Sequence, residues 1–125
     1  MHDIVAEAYD RWAAEDHDGL LALFADDAVF VVPGSTAVSG THDKAAFRQV
    51  LETVSAATEA GRHRQELVCS YDGEGGSACV FDNVVVVDAV ETKYHSVHEW
   101  ILRDGVPHVW MLYVHEYDLF QAVWA

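Results

Sequence analysis

The chain has 125 residues, 51% of them hydrophobic, with only eight glycines and two prolines, so its composition suits one folded domain over residues 1–125. Seven Lys and Arg stand against 21 Asp and Glu, and the formal charge of −14 argues against nucleic-acid and anionic-membrane partners. No stretch approaches the roughly 20 apolar residues of a membrane span, and the N-terminus lacks the basic cluster of a signal peptide, which predicts a cytoplasmic protein.

Two helices are predicted at the N-terminus. Apolar residues spaced i, i+3, i+4 and i+7 give the first helix one buried face, which consists of Val5, Ala8, Tyr9 and Trp12. After a polar stretch, the spacing of Leu20, Leu23 and Phe24 predicts a short second helix. The acidic pair Asp26 and Asp27 then ends this helix.

A short strand and a third helix follow. The AVFVV run at 28–32 is typical of a strand that the pair 33–34, Pro-Gly, stops, and a loop comes next. Thr41 or Asp43 can cap a third helix, which Gly61 ends. The predicted buried face of this helix consists of Phe47, Val50, Leu51 and Val54.

The remainder of the chain predicts four long strands, at residues 64–71, 77–89, 92–102 and 107–117. Short connections make neighbouring strands antiparallel. The sheet must cover its apolar face, and the three helices can do so. We therefore predict an α+β fold in which a cone-shaped, curved, mixed but mostly antiparallel β-sheet wraps around the N-terminal helices and leaves an internal pocket.

Four segments of the chain resemble one protein family. DHDGLLALFADDAVFVVPGS, residues 16–35, is similar to the helix-to-strand run of ketosteroid isomerases. SGTHDKAAF, VHEWILRDG and HEYDLFQAVWA resemble segments of SnoaL-like proteins in the same order. The chain thus resembles the SnoaL-like, ketosteroid-isomerase-like proteins of the nuclear-transport-factor-2-like superfamily. This resemblance implies the fold but no single activity, because the superfamily includes isomerases, dehydratases, cyclases, epoxide hydrolases and non-catalytic binders.

The resemblance also indicates which positions carry function and where the chain departs from the family. Val32 occupies the position of the carboxylate base of steroid isomerases, so we expect almost no activity on 3-oxo-Δ5 steroids. His98 aligns with the acid that donates to the dienolate oxygen, and Tyr9 lies beside the position of the isomerase tyrosine. His115 aligns with a functional Asp near the end of the last strand in many SnoaL-like cyclases.

His98, His115 and Asp82 are the candidate catalytic residues. Imidazole titrates near neutral pH, so His98 can give or take a proton, or it can be a core histidine bonded to a structural partner. An inward Asp82 would be a base with a raised pKa, and the alternative is a solvated Asp82 beside an inward Asn83.

The turn at residues 103–105 decides whether His115 shares a face with His98. A two-residue turn pairs His98 with Met111 and places His115 on the same face. A three-residue loop with a bulge pairs His98 with Trp110 and points His115 away. The sequence leaves both alternatives open.

Aromatic and apolar side chains are expected to line the pocket, namely Tyr9, Trp12, Phe30, Val32, Phe81, Trp100, Trp110 and Tyr113. Aromatic stripes of this kind also occur in plain cores. The sequence contains no metal-ligand motif, G-x-S-x-G elbow or phosphate loop, so we expect no metal and no cofactor.

These features predict a cofactor-free enzyme using general acid/base chemistry of the isomerase, dehydratase or polyketide-cyclase type on an apolar, oxygenated ring substrate. The alternative is a non-catalytic small-molecule-binding or dimerisation module of the same fold, which Val32 favours and an inward His98 disfavours. The outer sheet face should carry apolar residues among Glu99, Ile101 and the valines at 84–87, which predicts a homodimer.

Overall fold

The computed structural model describes residues 1–125 as four helices and six strands. The helices are α1 (Asp3–Ala13), α2 (His17–Ala22), α3 (Lys44–Glu59) and α4 (Tyr117–Val123). The strands are β1 (Val29–Val32), β2 (Gly40–His42), β3 (His63–Gly73), β4 (Gly76–Val87), β5 (Val90–Arg103) and β6 (Val106–Val114). Each helix is too short or too polar to cross a lipid bilayer.

The six strands form one curved, unclosed sheet in the order β2-β1-β6-β5-β4-β3. β1 runs parallel to β6, and every other neighbouring pair is antiparallel. The edge strand β2 lies in a segment predicted as a loop. Buried residues of the helices and of the inner sheet face belong to one core. The prediction of an α+β fold with a curved, mostly antiparallel sheet around N-terminal helices is therefore confirmed.

Local sequence signals set both ends of α3. The carboxylate of Asp43 accepts a hydrogen bond from the backbone N–H of Ala46 at 2.8 Å, so Asp43, not Thr41, caps the helix. Gly61 follows the helix with a φ of 73°, a left-handed conformation that glycine adopts without a Cβ clash. This helix lies against the sheet with Phe47 in the core.

The C-terminal segment differs from the prediction because it contains a helix. The last strand ends at Val114 rather than three residues later, and α4 follows. The carboxylate of Glu116 accepts from the backbone N–H of His95 and bonds its Nδ1, both at 2.6 Å, which holds the start of α4 to β5. Phe120 and Trp124 lie one helical turn apart, and both are buried. Helical spacing, not strand alternation, therefore governs this tail.

The register of β5 and β6 combines features of both predicted turns. The turn is a two-residue turn at 104–105, and both residues have positive φ. One residue of β6 just beyond it is left unpaired as a bulge. His98 therefore pairs with Leu112, and both predicted pairings, with Met111 and with Trp110, are wrong.

Candidate functional site

A cavity of about 100 Å³ lies between the curved sheet and the helices. Its wall contains no Asp, Glu, Lys or Arg. The aromatic side chains in the wall are Tyr9, Trp12, Phe24, Phe47, Tyr94, Trp100, Trp110, Phe120 and Trp124. Because a charged ligand would lose its hydration here without gaining a counter-charge, the wall favours an uncharged, apolar ligand.

His98 projects from the middle of β5 into this cavity and is only 5% exposed. Its ring centroid lies 4.5 Å from that of Phe81 and 4.9 Å from that of Trp110. Its Nδ1 lies 2.8 Å from the hydroxyl oxygen of Tyr9, which also accepts a hydrogen bond from Nε1 of Trp100 at 3.0 Å. Packing and hydrogen bonds thus hold the imidazole in one orientation.

The other ring nitrogen of His98, Nε2, has no hydrogen-bond partner in the protein. Among the fully buried side-chain polar atoms, only Nε of Arg11 lacks a hydrogen-bond partner. Nε2 of His98 also lacks a partner, so it is not fully buried. Because His98 belongs to the cavity wall, we infer that this nitrogen borders the cavity. A polar atom of a ligand is the partner that this nitrogen lacks.

Burial lowers the pKa of His98 to about 3, and repulsion from His63 is the second cause. The imidazole is therefore neutral at pH 7. A neutral imidazole has one N–H donor and one acceptor nitrogen. Which of the two faces the cavity decides the chemistry of the site.

The depressed pKa of His98 predicts a loss of stability in acid. In the unfolded chain His98 takes up a proton below about pH 6.5, whereas in the folded protein it does not until about pH 3. Its contribution to stability is thus fully present above about pH 6.5 and is lost as the pH falls towards 3. Between pH 6.5 and 5, the free energy of unfolding should fall by about 1–2 kcal/mol more in the wild type than in His98→Leu. Urea denaturation at both pH values measures this difference, and equal falls would contradict it.

A second polar group borders the cavity where β3, β4 and β5 meet. The side-chain oxygen of Asn83 accepts hydrogen bonds from Nε2 of His63 and Nε2 of Gln65, both at 3.2 Å, and its nitrogen donates to Oγ of Ser96 at 2.7 Å. Burial lowers the pKa of His63, and the hydrogen bond that His63 donates to Asn83 opposes this shift. The amide oxygen of Gln65 has no protein partner, so it is a free acceptor beside the cavity.

The sequence did not single out His63 and Gln65. Both lie at alternate positions of β3, and they pair with Val85 and Asn83 on the inner face of β4. The alternation of His63 and Gln65 with the charged residues Arg64 and Glu66 is the sequence pattern that could have placed the first two on the inner face. The predicted strand began at residue 64, which left His63 outside it, and the hydrophilic run gave no indication of an inner face.

An outer hollow of about 350 Å³ lies between α1 and β3. It shares four wall residues with the deep cavity, namely Tyr9, Trp12, His63 and Gln65. These four side chains therefore stand at the boundary between the two spaces.

Three predicted site residues face away from the cavity. Asp82 lies on the outer sheet face, where its carboxylate is 3.3 Å from both Lys93 Nζ and His95 Nε2. The ring of His115 lies 6.5 Å from that of His95, and Tyr113 is 48% exposed. We correct the catalytic assignments of Asp82 and His115 and the lining assignment of Tyr113, because strand alternation and the β6 bulge turn these side chains outward.

Phe30 and Phe81 lie behind the wall of the deep cavity, which corrects their predicted role as lining. Phe30 is fully buried and stacks on Phe47 with a centroid distance of 4.2 Å. Phe81 packs against Tyr9 and His98 and borders only the outer hollow. The other predicted residues do border the deep cavity, namely His98, Tyr9, Trp12, Val32, Trp100 and Trp110.

Residues 5–106 match the family described as the SnoaL-like domain. No curated protein matches the sequence.

Three solved structures share the fold over nearly their whole length. Bal32a, from a soil-derived mobile gene cassette, has 14% identity and a TM-score of 0.84, with 98% of this chain and 95% of that chain covered. A Xanthomonas campestris protein of unknown function with a cystatin-like fold has 19% identity and a TM-score of 0.81, with coverage of 98% and 96%. TerC, co-crystallised with polyporic acid, has 17% identity and a TM-score of 0.78, with coverage of 98% and 97%. At these identities the likeness concerns the fold alone.

Proposed function

Because the chain belongs to the SnoaL-like domain family, we propose that it is an enzyme acting by cofactor-free acid/base chemistry on a small, apolar, oxygenated ring compound. One observation carries this proposal: Nε2 of His98 borders an aromatic cavity and has no protein partner. Imidazole can exchange or share a proton with a substrate oxygen. The reaction class is isomerisation, dehydration or polyketide-type cyclisation.

The size of the cavity limits what binds in it. A cavity of about 150 Å³ lined by apolar side chains holds benzene, and the deep cavity measures about 100 Å³. The deep space therefore takes no more than one small ring, and we propose that any further part of a ligand extends towards the outer hollow, which shares four wall residues with it. TerC has the same fold and was crystallised with polyporic acid, which supports an organic molecule as the ligand class.

A thermal-shift screen of cyclic ketones and polyketide-like phenols tests whether the cavity binds such compounds. A ligand present at about 100 times its Kd stabilises the folded state by about 2.7 kcal/mol, which raises Tm measurably. We expect this shift in the wild type and its loss in Leu112→Trp, because Leu112 lies beside His98 in the wall and a larger side chain there fills the cavity.

Tyr113→Trp is the matched control, because its side chain lies on the neighbouring position of β6 but on the outer face. Ligands should shift the Tm of this variant as they shift that of the wild type. An unchanged response in Leu112→Trp would place the binding site elsewhere. If no ring compound small enough to fit the cavity raises the Tm of the wild type, the proposal is contradicted.

A non-catalytic binding protein is the second candidate, and one observation favours it. The wall holds no carboxylate, and Val32 stands where steroid isomerases carry their base. The two candidates differ in what happens to a bound compound. Prolonged incubation of each screened ligand with the protein, followed by mass spectrometry and NMR, should reveal an isomerised, dehydrated or cyclised product if the protein is an enzyme. Quantitative recovery of every ligand unchanged would favour the binding protein.

We also propose that the chain forms a homodimer through the outer face of its sheet. The apolar side chains on that face include Val80, Val84, Val97, Ile101, Val109, Met111 and Tyr113. An apolar patch across several strands is typical of an interaction surface. Light scattering should give a dimer mass for the wild type at about 100 μM and a monomer mass for Ile101→Lys, since burying a lysine in the interface costs binding energy. A wild-type monomer at this concentration would contradict the proposal.

A further inference from the structure

Trp100, Tyr9 and His98 form a chain of hydrogen bonds that ends at the cavity. Nε1 of Trp100 donates to the hydroxyl oxygen of Tyr9 at 3.0 Å, and this oxygen lies 2.8 Å from Nδ1 of His98. Trp100 and His98 are neighbours on the inner face of β5, and Tyr9 reaches them from α1. All three side chains border the cavity.

The direction of this chain follows from the donors and acceptors available. An indole nitrogen only donates, so the bond from Trp100 occupies a lone pair of the Tyr9 oxygen, and the Tyr9 hydroxyl proton needs an acceptor. Nδ1 of His98 lies at the right distance, whereas the other nearby group, the thiol of Cys79, is a weak acceptor. The Tyr9 hydroxyl therefore donates to Nδ1.

This direction fixes the tautomer of the imidazole. Because Nδ1 accepts a hydrogen bond from the Tyr9 hydroxyl, the single proton of a neutral imidazole sits on Nε2. No carboxylate borders the cavity or bonds the ring, so no group there would hold His98 as a cation. The nitrogen that meets the ligand is thus an N–H.

We propose that Trp100 and Tyr9 lock His98 as the Nε2–H tautomer, so that it offers a hydrogen-bond donor to a carbonyl-type oxygen of the ligand instead of a basic nitrogen. This inference rests on the proposed function and narrows its substrate class to rings that carry an acceptor oxygen. In turnover, His98 stabilises negative charge that develops on this oxygen. Tyr9 and Trp100 act as positioning residues.

Long-range ¹H–¹⁵N NMR of the free protein at pH 7 tests the tautomer without any ligand. The expected spectrum shows Nε2 of His98 protonated and Nδ1 unprotonated. In Tyr9→Phe, which keeps the aromatic ring but removes the donor to Nδ1, the proton should redistribute between the two nitrogens. A wild-type spectrum with the proton on Nδ1 overturns the inference, and it does so even if Tyr9→Phe fails to fold.

Cyclohexanone and methylenecyclohexane test the consequence for binding, because the two rings have the same shape and only the ketone accepts a hydrogen bond. The ratio of their affinities, ketone over alkene, should fall by about two- to tenfold from the wild type to His98→Leu. An unchanged ratio overturns the donor role. If neither compound nor any other ring binds, the proposed function fails while the tautomer result stands, so the two failures can be told apart.

Discussion

His98→Leu should lower the turnover of the compound that the wild type converts by about 10²–10⁴-fold, the range that a positioned acid/base or hydrogen-bonding group contributes. The substitution removes Nε2, a polar atom of the cavity wall that has no hydrogen-bond partner in the protein. Most of the apolar wall remains, so binding of the ring should weaken far less than turnover.

The same substitution should also cost stability, because the Tyr9 hydroxyl then loses its acceptor. An unsatisfied buried donor costs about 1–3 kcal/mol, so rates should be compared well below the Tm of both proteins and per folded molecule, as measured by circular dichroism. His115→Leu is the matched control, since His115 lies on the outer sheet face and does not border the cavity. It should retain the wild-type rate. Equal turnover by wild type and His98→Leu would remove His98 from the chemistry.

Gly76→Ala should prevent stable folding, with a loss of more than about 4 kcal/mol. Gly76 begins β4 with a φ of 151°, and a Cβ added there would lie 1.7 Å from the backbone oxygen of Trp100. Backbone on the neighbouring strand cannot move away cheaply, so β4 and β5 would have to separate. Trp100 would then shift as well, and with it the bond that it donates to Tyr9.

Gly75→Ala is the control for this prediction, because a Cβ at Gly75 meets no atom within 4 Å. Guanidinium denaturation should show a change within about 0.5–1 kcal/mol for Gly75→Ala. A Gly76→Ala variant as stable as Gly75→Ala would mean that the two strands do not approach as closely as described.

The helices and the sheet could be predicted because they depend on signals from residues that are close together in the sequence. Asp43 caps α3 and Gly61 follows its end, as the sequence indicates. The C-terminal helix was missed because it follows a long apolar strand and shows only two core residues, Phe120 and Trp124. Its position depends on contacts distant in sequence, such as that between Glu116 and His95.

The face of each strand residue was harder to predict than the strand itself. A single unpaired residue in β6 changed the partner of His98 to Leu112, and no local signal in the sequence marks that bulge. For Asp82 and Asn83, alternation required one to face inward, and the uncharged Asn83 does so among polar partners. The cavity position of His98 agrees with the alignment by resemblance, whereas its bond to Tyr9 depends on how α1 packs on the sheet.

On our proposal, the cavity holds an oxygenated ring whose oxygen meets Nε2 of His98. The most direct measurement is a crystal structure of the protein with the compound that gives the largest shift in the thermal screen. We expect the ring inside the aromatic wall, with a ligand oxygen about 2.7–3.2 Å from Nε2 of His98. A ligand bound outside the cavity, or one that turns only carbon atoms towards Nε2, would contradict it.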